Sequence, residues 1–574
     1  MHWLDWLVMI GTLSAIVLYG VYQTRNVKSV QSYLLGDRDL RWWTIGLSVM
    51  ATQASAITFL STPGQAFEDG MRFAQFYFGL PVAMVFLCIF VLPIYYKLKV
   101  YTAYEYLEGR FDLRTRTLTA IFFLIQRGLA AGITIYAPAI ILSTILGWSL
   151  NWTILGIGTV VIFYTVMGGT KAVSVTQKQQ MIVILAGMFI AALLLVDQLP
   201  QNVGFGDAVS VAGKLGKLNV VDFSFDPDNR YTFWTGMLGG FFLFVSYFGT
   251  DQSQVQRYLS GRSLSESRLG LLFNGIIKVP MQFLVLFVGI LVFVFFLFVK
   301  PPIHFNSANL DLVEANPQTA ASLDSLEETY DALFLEKEQA VNEMVEAFQT
   351  NDEATIAATT EEVTKLTEQD AEIRSQVRDL VTIASDDTAK TRDTDYVFIT
   401  FVINYLPVGL VGLLLAVIFS AAMSSTASEL NALATTTVID LYKRSFSPTS
   451  TDEHYLSASK WFTIMWGGLA LFFALYADLF DNLIQAVNII GSLMYGAILG
   501  VFMVAFFQKR IGGVAVFRAA VVTEVIVLCL FGLNEYEYIN LAYLWLNPIG
   551  CILVMILSEL FQGSNYDTAV KAGK

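Results

Sequence analysis

The 574-residue sequence predicts an all-α polytopic membrane protein with about thirteen membrane-spanning helices. Three observations predict it. Hydrophobic residues make up 55% of the chain and charged residues only 14%, with a mean hydropathy of +0.58, more apolar surface than a soluble core can absorb. Apolar runs long enough to cross a bilayer, about 20 residues each, recur along the chain. Basic residues sort into alternate connections between those runs.

The spans fall near 4–22, 41–63, 73–96, 117–146, 152–168, 178–198, 232–256, 270–299, 397–441, 458–477, 482–507, 514–533 and 538–560. The first lacks a basic leader and reaches full spanning length, so it reads as a helix and not as a cleaved signal. The run 397–441 is long enough to include a re-entrant or extra-membrane part. With the N-terminus outside, the inner loops and tail collect 21 Lys and Arg, from Arg25 and Lys28 through Arg257 to Lys571 and Lys574. The short outer loops hold only Arg72, while the longer outer loop 199–231 adds Lys214, Lys217 and Arg230. That asymmetry predicts a multi-pass protein of the cell membrane with a cytoplasmic C-terminus. Cys88, Cys529 and Cys551 all fall inside spans, so free thiols are expected. The sequence holds no spacing for a metal cluster, a phosphate loop or a nucleophile with its base; neither an enzyme nor a nucleic-acid partner is expected.

Residues 303–395 differ from the rest. They carry 22 Asp and Glu against 6 Lys and Arg, which leaves the remainder of the chain near +3. The acidity therefore belongs to one outer insertion. Its helical periodicity predicts a hairpin beside the membrane, either a simple solvated insertion or a module that docks a partner.

Polar residues at membrane depth point to function. Arg127 and Lys278 lie deep within their spans, where a charge costs several kcal/mol and needs a pathway, a partner or a ligand. A purely structural ion pair is the alternative. Two helices read as broken: "WWTIGLSVMATQASAITFLSTPG" has small and polar residues through its middle, and "FFLFVSYFGTDQSQVQRYL" turns abruptly polar. Unwound backbone is tolerated in a membrane only where it lines a cavity, and paired broken helices mark the binding site of a secondary transporter. In "IFSAAMSSTASELNALATTTVIDLY", Ser424 and Ser428 form one helical row and Ser425 and Glu429 the next. Such hydroxyls either permit close helix packing or, with free carbonyls, ligate a hard cation such as Na⁺. The buried Glu429 favours the cation.

The stretches "SAAMSSTASELNA", "FYTVMGGTKAVSVTQ", "SYFGTDQSQVQRYLSGRS" and "SAITFLSTPGQAF" resemble the sodium:solute symporter family over about residues 30–560, and "GITIYAPA" resembles its iodide, monocarboxylate and multivitamin branch. The resemblance implies a LeuT-like five-plus-five inverted-repeat core, alternating access, and solute import driven by the Na⁺ gradient. By position it implies a Na⁺ site at Ala51, Ala54, Ala421, Ser424 and Ser425. A second cation site found in some members is in doubt, because Gln177 replaces its Asp and Ala427 a serine; Ser428 and Glu429 are the candidates to make up for them. Lys278 matches a lysine at the sugar site of sodium/glucose transporters, although the following Pro280 is displaced by one position. Arg127 resembles an arginine that holds a carboxylate in a sialic acid transporter. Together with Asp251, Gln53, Ser55, Thr58 and Tyr136, these form the expected solute site. The expected solute is a carboxylate or acidic sugar, with a neutral sugar or polyol as alternative. A transporter-like sensor is the competing class. The expected organisation is an extra helix at 1–30, the first repeat and start of the second at 31–302, the insertion at 303–395, the rest of the second repeat at 396–507, and two further helices with a tail at 508–574. The core is expected to work as a monomer.

Overall fold

In a bilayer each backbone N–H and C=O needs an internal partner, and helices supply one within each segment. The computed structural model describes residues 2–24, 33–34, 38–386, 391–476 and 483–572, which fold as helices with one isolated bridge between Leu40 and Gly261. Arg25, Lys28 and Lys574, counted above among the inner basic residues, lie outside the described residues.

Ten helices among the described residues are long and apolar enough to cross a membrane, against about thirteen expected spans. The difference has identifiable causes. The span 41–63 is interrupted, as Trp42–Gln53 and Ala56–Asp69, and 232–256 as Gly240–Thr250 and Gln252–Leu259. The expected spans 152–168 and 178–198 are both among the ten, as Leu150–Met167 and Thr176–Asp197, whereas the helix Asp452–Ala474, where 458–477 was expected, is not apolar enough to be counted. Helix starts follow their caps. Asp112 accepts from Thr115 N at 2.8 Å ahead of Leu113–Leu146, and Ser263 accepts from Glu266 N at 3.2 Å ahead of Leu264–Phe298.

The serine-bearing helix Leu410–Thr436 is buried along almost its whole length and packs against Leu150–Asp197, Leu113–Leu146 and the N-terminal helix Trp3–Thr24. Buried Asp5 ties the N-terminal helix to the serine helix, since its Oδ1 accepts from Gly409 N at 2.6 Å where the serine helix begins. Leu264–Phe298 runs beside the first broken helix in parallel. A Cβ on Gly46 would sit 3.0 Å from Gly270 O, and one on Gly289 would fall 2.2 Å from Pro63 O, so only glycine permits the second approach.

Within the insertion, Ala320–Thr350 and Glu353–Ala384 form an antiparallel helical pair joined at Asn351, whose φ of 56° turns the chain. The interface buries a polar cluster: Lys337 pairs with Asp370, Arg374 Nε donates to Asp370 Oδ1 at 2.8 Å, and Arg374 Nη2 donates to Tyr330 Oη at 2.7 Å. Burial alone would raise the Asp370 carboxyl, but Arg374 and Lys337 hold it below the usual carboxylate range, while burial pushes the Lys337 ammonium down. A carboxylate depressed in this way lends stability that is present at neutral pH and lost as pH falls through its folded value. Removing it strands two buried cations, at a cost of about 3–5 kcal/mol. Asp370→Asn should therefore speed amide exchange across 320–384 at pH 7, measured by hydrogen–deuterium exchange. The gap from the native protein should close as the pH is lowered below 4, roughly the unfolded carboxylate value.

Candidate functional site

The first interruption falls at Ala54 (φ −84°, ψ 76°) and Ser55 (φ −76°, ψ 172°). Its effect on hydrogen bonding is specific. Ser55 N donates to Gln53 O and Thr58 N to Ser55 O, so the carbonyls of Ala51 and Ala54 lose the donors that a continuous helix would supply. Across from them stands the serine helix. Ser424 Oγ donates to Ala51 O at 3.3 Å, and Ser425 Oγ donates to Thr52 O at 3.2 Å and Ala51 O at 3.5 Å. Ala421, Ser424 and Ser425 occupy one face of that helix and all are buried. The structure thus brings Ser424 and Ser425 onto the carbonyls of Ala51 and of Thr52, a residue the sequence reading did not name for the ion, while Ala54 and Ala421 lie within one turn of this uncharged, oxygen-rich contact. That chemistry suits a hard monovalent cation.

Gln177 and Ser428 lie beside this set in a network of their own. Gln177 Nε2 faces Ser428 Oγ at 2.7 Å, Thr52 Oγ1 at 3.0 Å and Ser424 O at 3.1 Å, and its Oε1 accepts from Ser48 Oγ. A neutral carboxamide therefore satisfies these oxygens. Glu429 does not join it. One helical turn changes the neighbourhood, and the Glu429 side chain points into a second cluster. There Arg127 Nη1 donates to Glu429 Oε1 at 3.1 Å, Arg127 Nε donates to Asp251 Oδ2 at 3.0 Å, and Arg127 Nη2 binds both Asp251 and Tyr495. Tyr495 Oη donates in turn to Asp251 Oδ2 at 2.7 Å. Asp251 is the residue at the second interruption. Its extended backbone caps Gln252–Leu259, with Oδ1 accepting from Ser253 N at 2.9 Å and Ser253 Oγ at 2.6 Å. The carbonyls released there, Gly249 O and Thr250 O, accept from Tyr95 and Tyr104 hydroxyls, each at 2.8 Å.

A cavity opens between the two interruptions. Thr52, Gln53, Ser55 and Thr58 form one wall, Arg127 and Glu429 another, and Phe76, Tyr77, Phe244 and Tyr247 supply aromatic surface. Four of the seven expected solute residues line it: Gln53, Ser55, Thr58 and Arg127. Asp251 and Tyr136 are buried but do not. Lys278 is fully buried, and its Nζ, without a hydrogen-bond partner, lies 5.8 Å from the Tyr77 ring. Tyr77 lines the cavity and Lys278 does not, which places that ammonium behind the cavity wall. Arg127 is not free either. Its guanidinium is paired with both Asp251 and Glu429, so the wall expected to attract an anion holds no spare positive charge.

Two buried basic residues escaped the sequence reading. Arg257, expected in an inner loop, is fully buried on Gln252–Leu259 and donates to Ser174 Oγ at 3.3 Å. Arg116 donates from Nε to Asp440 Oδ1 at 2.8 Å and from Nη1 to Glu108 Oε2 at 2.8 Å. Asp440 lies one helical register beyond the serine motif, at Thr437–Phe446, and its i, i+4 spacing from Thr436 gave the only hint that it faces inward.

Comparison with known proteins places this geometry. The model of the sodium:solute symporter family matches residues 33–319 and 379–522, and the unmatched 320–378 falls on the insertion hairpin. Human sodium-coupled monocarboxylate transporter 1 is 34% identical over 47% of the chain and 44% of its own length. The human sodium/iodide cotransporter is 34% identical over 43% of the chain and 38% of its own length. Mouse sodium-coupled monocarboxylate transporter 2 is 26% identical over 87% of the chain and 67% of its own length. The chain thus spans less than half the length of the two human relatives. A solved Na⁺-coupled sialic acid symporter in a substrate-bound, outward-open state shares the fold, with a TM-score of 0.73 at 22% identity and 98% of each chain covered.

The two carboxylates of the Arg127 cluster should respond differently to removal. Asp251 holds Arg127, Tyr495 and the cap of the second interruption, so Asp251→Asn should cost about 3–5 kcal/mol. Glu429→Gln leaves the Arg127–Asp251 pair intact and should cost clearly less. Thermal unfolding in detergent measures the difference; equal losses would show that Asp251 is not the anchor.

Proposed function

The chain belongs to the sodium:solute symporter family, and from that premise we propose that it is a sodium-coupled secondary symporter importing a small organic solute by alternating access. The observation that carries this reading is the facing of the Ser424 and Ser425 hydroxyls, at 3.2–3.5 Å, onto backbone carbonyls released by the first interruption. Na⁺ would take the carbonyls of Ala51, Ala54 and Ala421 with those two hydroxyls. The same interruption supplies Thr52, Gln53 and Ser55 to the cavity wall, so ion and solute act on one short stretch of backbone. A solute that closes the wall preorganises the carbonyls for the ion, and by linkage the ion tightens the solute equally. In this reading the N-terminus and insertion lie outside the cell membrane, the C-terminus inside, and one chain suffices.

A neutral polyhydroxylated solute, a sugar or polyol, fits the cavity best. Arg127 is already held by two carboxylates, which disfavours an anion, and Gln53 Oε1 and Gln126 Oε1 are buried acceptors without donors among the described residues. A solute rich in hydroxyls would satisfy them. A carboxylate is the second reading, favoured by relatives named for monocarboxylates and iodide and by a structural neighbour named for sialic acid.

Uptake into proteoliposomes tests both levels. An inward Na⁺ gradient should concentrate the solute, and choline in place of Na⁺ should abolish accumulation. Equal accumulation in choline would end the sodium-coupled reading, while Na⁺-dependent binding without accumulation would indicate a sensor. Ser424→Ala and Ser425→Ala should each raise the half-saturating Na⁺ concentration about tenfold, near 1.4 kcal/mol per lost ligand. Glu429→Gln separates the solutes, since it should weaken a polyol and strengthen a carboxylate.

A further inference from the structure

A second cavity lies away from the central one, where the insertion hairpin meets the transport core. At about 220 Å³ it is roomier than the central cavity, at about 90 Å³. The C-terminal end of the first broken helix reaches it through Phe67 and Glu68, and the end of Leu264–Phe298 through Phe293 and Phe296. Phe305 completes an aromatic floor, with the Phe67 ring 5.7 Å from Phe293, 6.3 Å from Phe296 and 5.7 Å from Phe305.

Its charges run against the insertion's composition. Residues 303–395 hold 22 acidic side chains and only 6 basic ones, yet three of those six, Lys337, Arg374 and Arg378, line this one cavity. Arg374 and Arg378 share a helix face at i, i+4, an arrangement of like charges that costs stability unless something else is gained. The core contributes a fourth cation, Lys217, from the loop beyond Phe205–Lys214. Opposing them are Glu68, Asp370 and Asp393, which leaves the lining net positive. Asp370 is spent on Lys337 and Arg374, and Asp393 Oδ2 accepts from Phe305 N at 2.6 Å. Lys217 Nζ donates only to main-chain oxygens, Phe67 O at 2.9 Å and Glu68 O at 2.7 Å, and lies 4.5 Å from the Phe293 ring. Among the described residues no carboxylate lies within ion-pair distance of Arg378 or Lys217, although Asp69 and Glu68 act on Lys217 from farther away. Cations beside an aromatic floor, with spare positive charge and room, match an amphiphilic anion.

We propose that this cavity binds a small organic carboxylate, its charged end against the wall of Lys217 and Arg378 and its apolar body on Phe67, Phe293, Phe296 and Phe305. The ligand would join the hairpin to the end of the broken helix, because Lys217 holds that helix's last carbonyls and Thr394 Oγ1, beside the hairpin, donates to Glu68 Oε2 at 3.0 Å. Such a ligand is either an effector or the transported solute held ahead of the central cavity, and the test separates them.

The probe is benzoate, titrated by calorimetry into the full chain in nanodiscs, first with K⁺ as the only alkali ion. Saturable binding is expected without Na⁺, which keeps this site distinct from the sodium-coupled reading of the central cavity. Arg378→Gln should weaken it at least tenfold, Arg378→Lys should restore most of it, and Phe296→Leu should weaken it a further few-fold. Ser425→Ala should leave it unchanged. No saturable binding, or binding indifferent to Arg378→Gln and Phe296→Leu, would overturn the proposal, as would binding that requires Na⁺. With the site established, benzoate competing for Na⁺-driven uptake in the native protein but not in Arg378→Gln marks an effector. Counterflow of labelled benzoate marks a solute on its way in.

Discussion

The structure depends on backbone carbonyls released inside a membrane. Two helices stop and restart, and each stop removes donors from oxygens that water cannot reach. The protein answers the two losses differently. At the second interruption, tyrosine hydroxyls close off Gly249 O and Thr250 O and make that backbone rigid. At the first, the donors are serine hydroxyls, which can turn and present oxygen lone pairs instead. A tyrosine cap of this kind is a permanent fixture; a serine cap is exchangeable. That difference suits the first interruption to the proposed ion coordination and the second to mechanical anchoring.

Arg127 connects the two. Its guanidinium reaches Asp251 at the second interruption, Glu429 one turn from the serines that face the first, and Tyr495 on a third helix. A buried arginine with two carboxylates contributes little net stability but fixes the mutual placement of the elements it joins. Here those elements are the walls of the cavity. A solute that drew Glu429 away from Arg127 would act on the serine helix directly, through the single α-helical turn from Ser425 to Glu429.

Much of this was legible in the sequence because membrane helices leave few reasons for a polar residue. The interruptions at Ala54–Ser55 and Asp251 showed as small and polar residues amid apolar ones, and the serine row showed its spacing. The partners of the charges were harder to read. Glu429 and Ser425 share a helical row, yet the longer glutamate side chain reaches past the serine network to Arg127, a matter of rotamer and tertiary neighbours that spacing does not encode. Arg257 sits within a polar run that resembles a loop, but the restart of the helix at Gln252 carries it into the bundle. Lys278 showed its depth correctly, whereas the Tyr77 ring that separates it from the cavity comes from a segment 200 residues away.

The insertion extends the same logic beyond the membrane. Its tail approaches the first broken helix so closely that a Cβ on Gly64 would fall 1.9 Å from Thr394 O, and Lys217 clamps the final turn of that helix. The half-helix that ends in this grip begins at Ala56, directly after the carbonyls that face Ser424 and Ser425. Fourteen residues of helix, Ala56–Asp69, therefore separate an exchangeable cap at membrane depth from a docked acidic module at the surface. Tilting that half-helix requires either that the hairpin moves with it or that the contacts at Gly64 and Glu68 part. Both are costly for close-packed backbone, so whatever steadies the hairpin would also resist any motion that opened the first interruption.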